Sequence, residues 1–465
     1  MIIIGFLYAC RSVDDASNSN MSTDILEEDE IQLTTDPKGH FLHTDQAFSP
    51  DDRWLVYDTR NDDTHIAKTC CIEKVNIDTG DIIGMYKTDG QTEHGPGVGA
   101  VTFNPKNDKI LFIHGLSNCS ESNPYSYSRR TGVCIREQEF KNPIFLDARD
   151  VKKPYTPGAL RGGTHAHSWS ADGKWVSFTY NDDIMTKLAE RPGSVVKDLR
   201  MVGVMAPLGG VKVDEDESGE NVSGTMFSVI VTKVWDNPQF GTNQIDKAYG
   251  DAWIGSAGYT KPNGTIQNRA IAFLGDTRNM MGETVTEVFR VDIPEDITVA
   301  GEGQPIEGTE VSRPMPPRGT LQQRLTFSNN RSLPGVQGPR HRVQSLPDGS
   351  MLLFMMRDKK DIVQLYGISP NGGEISQITY NPQSIETNFD VSPDGKYVAY
   401  GIDQQLQITT ISTGKTVKIK STIETLTSEL RAINWSNNGK LIAYNRKVTQ
   451  NEGNYFQVII RRVLK

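Results

Sequence analysis

The sequence DVSPDGKYVAYGID, at residues 390–403, contains the pattern that decides the fold. A short apolar stretch precedes Ser-Pro-Asp-Gly, and an alternating apolar run follows it. Proline presets its own φ angle and glycine accepts a positive φ, so this tetrapeptide favours a tight turn. The alternation of YVAYG is typical of a half-buried strand. The pattern therefore predicts two strands joined by a tight turn.

Related copies of this pattern occur along almost the whole chain, and KPNGTIQNRAIAFLGDTR from Lys261 is a degenerate seventh. The other five are AFSPDDRWLVYDTR from Ala47, TFNPKNDKILFIHG from Thr102, SWSADGKWVSFTYND from Ser168, QSLPDGSMLLFMMRD from Gln344 and NWSNNGKLIAYNRK from Asn434. Strand-like sequence follows most copies, which gives about four strands per unit, as in a propeller blade. We predict an all-β, seven-bladed β-propeller with long inserted loops; the alternative is two separate β domains with fewer blades.

The N-terminal composition predicts how the chain is organised before the propeller. Residues 1–10, MIIIGFLYAC, are apolar and too short to span a bilayer. They resemble the end of a bacterial lipoprotein signal with Cys10 as the lipidated residue, whereas the plainer alternative is a frayed N-terminus. Polar residues 11–38 predict a flexible tether, and residues 39–465 are assigned to the propeller. We therefore expect an exported protein, periplasmic or at the outer membrane, that meets the membrane only through a lipid anchor.

The net charge and the cysteine content limit which binding partners and which metal or redox motifs are expected. The net charge of −9 argues against a nucleic-acid partner, which requires a basic surface. There are five cysteines and no CxxC pair, so a zinc ribbon or redox motif is not expected. Cys119 and Cys134 flank a Ser/Tyr/Arg-rich loop and could form a disulfide in an oxidising compartment. The adjacent Cys70 and Cys71 are not expected to bridge each other.

The long insertions are a second place to look for function, because loops on a rigid scaffold often carry the functional side chains. The largest insertions are expected between Asn181 and Thr260 and between Asp276 and Arg324. Within the first of them, the segment DKAYGDAW from Asp246 could be helical.

Five of the eight histidines lie where inner strands are expected to begin. By resemblance to known propeller blades, the residues before each turn line the central channel. The pair His165 and His167 is the most specific signal, because residues i and i+2 of a strand share a face and neutral imidazoles suit one divalent metal ion. The alternative is ordinary surface polarity. The predicted metal ligands are His165, His167 and His341, with His94 as a fourth candidate, and His43 is assigned to substrate binding.

Arginines adjoin these histidines in the sequence. Arg161 precedes the histidine pair, and Arg340 and Arg342 flank His341. Guanidinium groups suit the carboxylate of a sugar acid, so Arg161 and Arg340 are candidates for a catalytic role, as carboxylate binder or base, and Arg342 for substrate binding. The alternative is that these arginines pair with the protein's own aspartates and glutamates.

Three stretches carry a resemblance to a known family. They are PYTPGALRGGTHAHSWSADGKWVSFTYND from Pro154, GPRHRVQSLPDG from Gly338 and PRGTLQQRLTF from Pro317. They look like the enterobacterial YidR-type family, whose function is unassigned, and the resemblance runs from about residue 43 to the C-terminus. That family resembles, more distantly, oligogalacturonate lyase and the propeller of the TolB translocation protein.

The resemblance to oligogalacturonate lyase implies a site. That lyase is a seven-bladed propeller that holds manganese through inner-strand histidines, two of them in a His-x-His pair, and a glutamine. His165 and His167 match the pair, whereas the glutamine falls on Gly162. The implied cofactor is a divalent metal, with manganese expected first.

Two functions of different classes follow, and a third stays open. The first is a metal-dependent lyase that acts by β-elimination on an acidic oligosaccharide such as oligogalacturonate, at the channel mouth. The second is a non-catalytic, TolB-like propeller that binds a glycan or a protein partner in the periplasm. The third is a surface scaffold that uses the inserted loops. The sequence contains no GxSxG elbow, no GxGxxG and no P-loop, so serine hydrolysis and nucleotide binding are not expected.

Overall fold

A computed structural model describes residues 27–136, 143–339, 342–422, 426–450 and 453–463. Their strands form seven blades around a central channel, so the prediction of an all-β, seven-bladed propeller is confirmed. The N-terminal strand β1 (Glu27–Gln32) belongs to the last blade. No helix in these ranges is long and apolar enough to cross a membrane.

The strands follow one another from the channel outwards in each blade. Blade 1 contains β2 (Trp54–Asp58), β3 (Cys71–Asn76) and β4 (Ile82–Lys87), and blade 2 contains β5 (Val98–Phe103), β6 (Lys109–Gly115), β7 (Arg130–Arg136) and β8 (Ile144–Phe145). The short pair β9 (Ala148–Arg149) and β10 (Ala159–Leu160) follows. Blade 3 contains β11 (Gly162–Trp169), β12 (Val176–Asp182), β13 (Met201–Ala206) and β14 (Phe227–Ile230). In blade 1 the innermost position is taken by residues 41–48, where Phe41 bridges Asp58 and Phe48 bridges Leu55.

Blades 4 to 7 repeat this arrangement. Blade 4 contains β15 (Lys247–Trp253), β18 (Ala270–Arg278), β19 (Thr284–Asp292) and β20 (Leu321–Arg324), with the inserted hairpin β16 (Tyr259–Thr260) and β17 (Ile266–Gln267). Blade 5 contains β21 (Gln344–Ser345), β22 (Leu352–Arg357), β23 (Val363–Ile368) and β24 (Ser376–Gln377), and blade 6 contains β25 (Asp390–Val391), β26 (Tyr397–Ile402), β27 (Gln405–Thr410) and β28 (Thr416–Ile419). Blade 7 contains β29 (Leu426–Trp435), β30 (Leu441–Gln450) and β31 (Gly453–Val463). Helical segments are short: α1 (Asp183–Ala189) and the 3-10 turns Ile66–Lys68 and Ser328–Asn330.

The core lies between the blades rather than in one central mass. Alternate side chains of each half-buried strand face the neighbouring blade, so each blade pair encloses an apolar cluster. Val204 of β13 and Val291 of β19, for example, belong to one cluster between blades 3 and 4. The channel is therefore left to polar side chains of the inner strands.

The ring closes with the two ends of the chain in one blade. Strand β1 pairs antiparallel with β31 and forms the outer edge of blade 7. The predicted tether at residues 11–38 is therefore wrong for Glu27–Gln32, and the propeller begins before residue 39. The charged sequence EEDEIQ lacks the apolar alternation of a typical strand, and its partner β31 lies at the far end of the chain, so no local signal predicts this strand.

Two further local predictions are wrong. The segment DKAYGDAW is the inner strand β15, and the degenerate seventh copy follows it because an inserted hairpin replaces the tight turn of the other blades. Cys70 and Cys71 form a vicinal disulfide, whereas Cys119 and Cys134 are free thiols. A disulfide between adjacent cysteines is not expected from the sequence, whereas the backbone allows the Cys70–Cys71 bond at the start of β3.

A β-bulge recurs in the inner strands. Pairing with the next strand shifts register beside Ala100, Ala166 and Ala432, and each of these residues has a positive φ of 50° to 56°. Gly250 has the same position in β15, with φ 62°. Bulges re-aim the side chains around them, so the simple alternation expected for His165 and His167 is interrupted at Ala166.

Candidate functional site

Side chains from blades 2 and 3 meet at the face of the ring where the inner strands begin, which we call the entry face. Arg130 is the first residue of β7, and Arg200 directly precedes β13. Their guanidinium carbons lie 4.6 Å and 5.3 Å from the ring centre of Tyr127. Tyr127 is 60% exposed, so one aromatic ring with two cations beside it opens towards solvent.

Neither arginine of this pair forms an ion pair with a carboxylate in the described ranges. Arg130 donates to the Tyr125 hydroxyl at 2.6 Å, and Arg200 donates to Asn181 at 3.1 Å. Burial lowers the pKa of Arg200, and the positive charge of Arg130 lowers it further. Two like charges lie close together with only the more distant charge of Asp198 acting on Arg200, which makes this arginine pair a favourable place for an anion.

His165 lies under the arginine pair. Its ring centre is 6.0 Å from that of Tyr127, and its exposed fraction is only 7%. Burial lowers the pKa of His165 well below its usual value, and the charges of Arg130 and Arg200 add to this effect. Both ring nitrogens lack a hydrogen-bond partner in the described part of the chain. His165 is therefore a neutral imidazole with an unused lone pair.

His167 is held by a buried chain of hydrogen bonds. Thr164 donates its hydroxyl proton to Asp147 at 3.0 Å, so its oxygen accepts from Nε2 of His167 at 2.9 Å. Asp147 also accepts from the amide of Gly132 at 2.7 Å, and burial raises the pKa of this carboxyl to about 6. These hydrogen bonds fix His167 as its Nε2–H tautomer and leave its Nδ1 atom without a partner among the described residues.

This hydrogen-bond chain makes a testable prediction about the tautomer of His167. In Asp147→Asn the amide can donate to Thr164, whose hydroxyl must then donate to His167 instead of accepting from it. We expect His167 to change from the Nε2–H to the Nδ1–H form, as read from the nitrogen chemical shifts of histidine labelled with ¹⁵N. The control is Asp390→Asn, which alters another buried channel carboxyl. An unchanged His167 tautomer in Asp147→Asn would contradict the proposed direction of the chain.

The other predicted histidines are dispersed. His43 is near enough to His167 for its charge to lower the pKa of His167, after burial and Arg130, to about 3. His94 lies in a turn closed between Thr92 and Gly95, and it is not among the charged groups that act on His165. Arg340, His341 and Cys10 lie outside the described residues.

The described residues do not fit the expected metal centre. The unpartnered nitrogens of His165 and His167 are suitable donors, but no three His, Cys, Asp or Glu side chains group together in the described ranges. The arginine pair beside His165 also makes its surroundings positive, which disfavours a divalent cation. The positive charges of the two arginines favour an anion at this site instead.

Arg161 has structural contacts at the start of β11. It is fully buried, and its guanidinium pairs with Asp182 at 2.7 Å. It also donates to the carbonyl groups of Thr309 and Ser312, which fastens the long insertion of blade 4 to blade 3. These contacts satisfy the guanidinium within the protein, as the alternative interpretation of the sequence held.

Arg342 crosses the channel below the histidines. It extends from the inner strand of blade 5 to blade 1, where it pairs with Asp45 at 3.1 Å and donates to the carbonyl of Thr44 at 2.5 Å. Ser168 of blade 3 donates to the same Asp45 at 2.5 Å. Three blades thus meet at one carboxylate, which bridges the channel beneath the site.

Neither of the two arginines that define the site is among the residues predicted from the sequence. Arg130 lies in PYSYSRRTG, the Ser/Tyr/Arg-rich loop between Cys119 and Cys134, where two tyrosines alternate with serines and two arginines follow. This local cluster of aromatic and basic residues was the available signal. Arg200 has no comparable signal, because only the packing of blade 3 against blade 2 brings it to Tyr127.

The fold and this site define the class: a seven-bladed propeller with a cluster of arginine, tyrosine and histidine side chains where the inner strands of blades 2 and 3 begin. A family model described as "Protein of unknown function (DUF3748)" matches residues 97–220. The uncharacterized protein YidR of Escherichia coli (strain K12) is 40% identical over 379 residues, 81% of this chain and 85% of that protein. The chain belongs to the YidR family.

Solved structures confirm the fold. An oligogalacturonate lyase in complex with manganese covers 93% of this chain and 93% of its own, with a TM-score of 0.52 and 11% identity. At that identity the likeness shows the propeller fold alone. TolB from Acinetobacter baumannii covers 92% of this chain and 86% of its own, with a TM-score of 0.33 and 12% identity, too low to support a conclusion.

Proposed function

We propose that this protein binds an acidic oligosaccharide at the entry face and cleaves it by β-elimination. The observation that carries the proposal is the arginine pair, Arg130 and Arg200, which forms no ion pair in the described ranges and lies around Tyr127, beside the neutral His165. A uronic acid presents a carboxylate next to the weakly acidic C–H bond that such a reaction breaks. The pair can bind the carboxylate, and the buried ring nitrogens of His165 would reach the proton once Tyr127 moves aside on binding.

The reaction follows from these positions. The arginine pair neutralises the carboxylate and stabilises the negative charge that develops on it. His165 takes the proton from C5, the electron pair forms the C4=C5 double bond, the C4–O bond breaks, and the leaving oxygen takes a proton from solvent. A bound carboxylate also offsets the two positive charges that lower the pKa of His165, so the substrate makes its own base stronger.

The lowered pKa of His165 favours a second candidate function, because a weakly basic imidazole is a poor proton acceptor. In this case the entry face binds an acidic glycan without cleaving it. The arginine pair and Tyr127 would act as they do in the first proposal. The two functions differ only in whether product appears, which a direct assay can measure.

The assay uses trigalacturonate and ultraviolet absorbance of the unsaturated product. We expect product with the wild type and a loss of at least a hundredfold in rate with His165→Ala, because general-base catalysis contributes on the order of 10² to 10⁴. His65→Ala, on an exposed loop, is the matched control and should keep full activity. Parallel reactions with added Mn²⁺ and with a chelator test whether a metal is required. Binding without product in every reaction would leave the binding function alone.

A further inference from the structure

A second pocket opens on the outer part of blade 5. This outer groove has a volume of about 990 Å³. Its functional side chains are Arg331, Arg357, Lys359, Lys360, Tyr366 and Tyr380. The size is at the upper end of the range for ligand pockets, so the groove can hold more than one sugar ring.

The groove is basic although the whole protein carries a net charge of −9. Lys359 and Lys360 are exposed in the turn between β22 and β23, and neither has an ion-pair partner in the described ranges. Arg357 pairs with Asp361 at 2.5 Å, and Asp358 is the acidic residue of the lining. Four basic side chains thus outnumber two acidic ones at this place.

Two guanidinium groups of the groove have unused hydrogen-bond donors. Arg331 donates to the Tyr366 hydroxyl at 3.1 Å and to the carbonyl of Arg357 at 3.0 Å, and it lies 4.9 Å from the Tyr366 ring centre. The Nε atoms of Arg331 and Arg357 are buried and have no partner among the described residues. These two buried atoms are not accessible to a ligand, but both guanidinium groups line the groove, so an anionic ligand there would lie beside their positive charges.

An exposed aromatic ring completes the groove. Tyr380 is 72% exposed, and its hydroxyl makes only a long contact of 3.4 Å to the carbonyl of Gln377. A tyrosine ring offers a rigid apolar face with a polar tip, which matches the flat face and hydroxyl edge of a sugar ring. The charged donors and this ring together select an anionic saccharide over a neutral one.

The groove opens on the same face of the ring as the channel mouth. Val336, at the start of the inner part of blade 5, bridges Met356 at the end of β22, and the turn that follows β22 carries Lys359 and Lys360. We propose that the outer groove is a second binding site for an acidic oligosaccharide, distinct from the arginine pair. The ligand class rests on the proposed function, whereas the site itself does not.

Calorimetric titration with hexagalacturonate tests the groove. In the Arg130→Ala/Arg200→Ala background, where the channel mouth is disabled, we expect one binding site to remain. Adding Tyr380→Ala or Lys359→Ala/Lys360→Ala should weaken this binding at least tenfold. A neutral glucose hexamer should bind at least tenfold more weakly than hexagalacturonate. Matched controls are Phe240→Ala, an exposed ring elsewhere, and Lys106→Ala/Lys174→Ala, two exposed lysines in turns of blades 2 and 3.

The outcomes separate the two sites. Groove variants that bind hexagalacturonate as tightly as their matched controls would overturn the second site, and so would the absence of any binding in the Arg130→Ala/Arg200→Ala background. If groove variants lose binding while the trigalacturonate assay gives no product, the groove stands and the lyase proposal fails. If product forms but groove variants bind hexagalacturonate normally, the lyase proposal stands and the second site fails.

Discussion

Replacing Arg130 and Arg200 together by alanine is expected to weaken binding of trigalacturonate by roughly a hundredfold or more. A hydrogen bond to a charged group contributes about 1.5–3 kcal/mol, so two such contacts correspond to a factor of about 10² to 10⁴. The measurement is calorimetry in the Tyr380→Ala background, so that the outer groove does not contribute. Arg191→Ala/Arg318→Ala, two exposed arginines elsewhere, is the matched control.

The same double variant should not lose stability. In the wild type the positive charge of Arg130 lowers the pKa of Arg200, so the two guanidinium groups repel each other, and the double variant removes this repulsion. We expect the melting temperature of Arg130→Ala/Arg200→Ala to equal or exceed that of the wild type. A large fall would mean that the arginines support the fold, and the anion-site interpretation would then fail. The Arg→Lys pair keeps the charge and should recover part of the affinity.

Glu30→Ala is expected to destabilise the protein by about 3–5 kcal/mol, the usual cost of breaking a buried ion pair. Glu30 is 8% exposed and fastens β1 to blade 7. It accepts from Tyr444 at 2.6 Å and from the amide of Thr422 at 2.7 Å, lies 3.5 Å from Arg446, and also accepts from the Ser421 hydroxyl. Denaturant unfolding measures the loss.

The same contact predicts a pH dependence. Burial alone would raise the pKa of Glu30, but hydrogen bonds from Ser421 and Tyr444 and the charge of Arg446 lower it overall. The stabilisation is therefore present above the unfolded pKa near 4.5 and is lost as pH falls through the folded value. The difference in unfolding free energy between wild type and Glu30→Ala should shrink in acid. Exposed Glu374→Ala is the control, and equal unfolding curves for all three proteins would show that β1 does not close the ring.

The sequence predicts the blades well because each turn and its strands are local. Pro, Asp and Gly at neighbouring positions specify the turn, and alternation specifies the strand that follows, so six of the seven inner strands could be placed. The inner strand of blade 4 was missed because an insertion separates it from its partner β18. Strand β1 was missed because its apolar partner β31 lies at the other end of the chain.

The site could be predicted only in part. His165 and His167 were found because a His-x-His pair at the start of an inner strand is a local signal. The contacts around them depend on the bulge at Ala166, which no residue preference announces, since alanine rarely has a positive φ. Arg130 and Arg200 come from neighbouring blades, and only the packing of blade 2 against blade 3 brings them to one tyrosine.

The contact between Arg342 and Asp45 limits how a polymer can be handled. Side chains from opposite blades join below His165, so this contact narrows the passage there. Under the proposed function, a ligand bound at the entry face is then expected to enter and leave by that face and not to be threaded through the ring. If the proposed activity holds, such an arrangement suits the terminus of a chain or short fragments, and the rate of release through the entry face would then limit turnover.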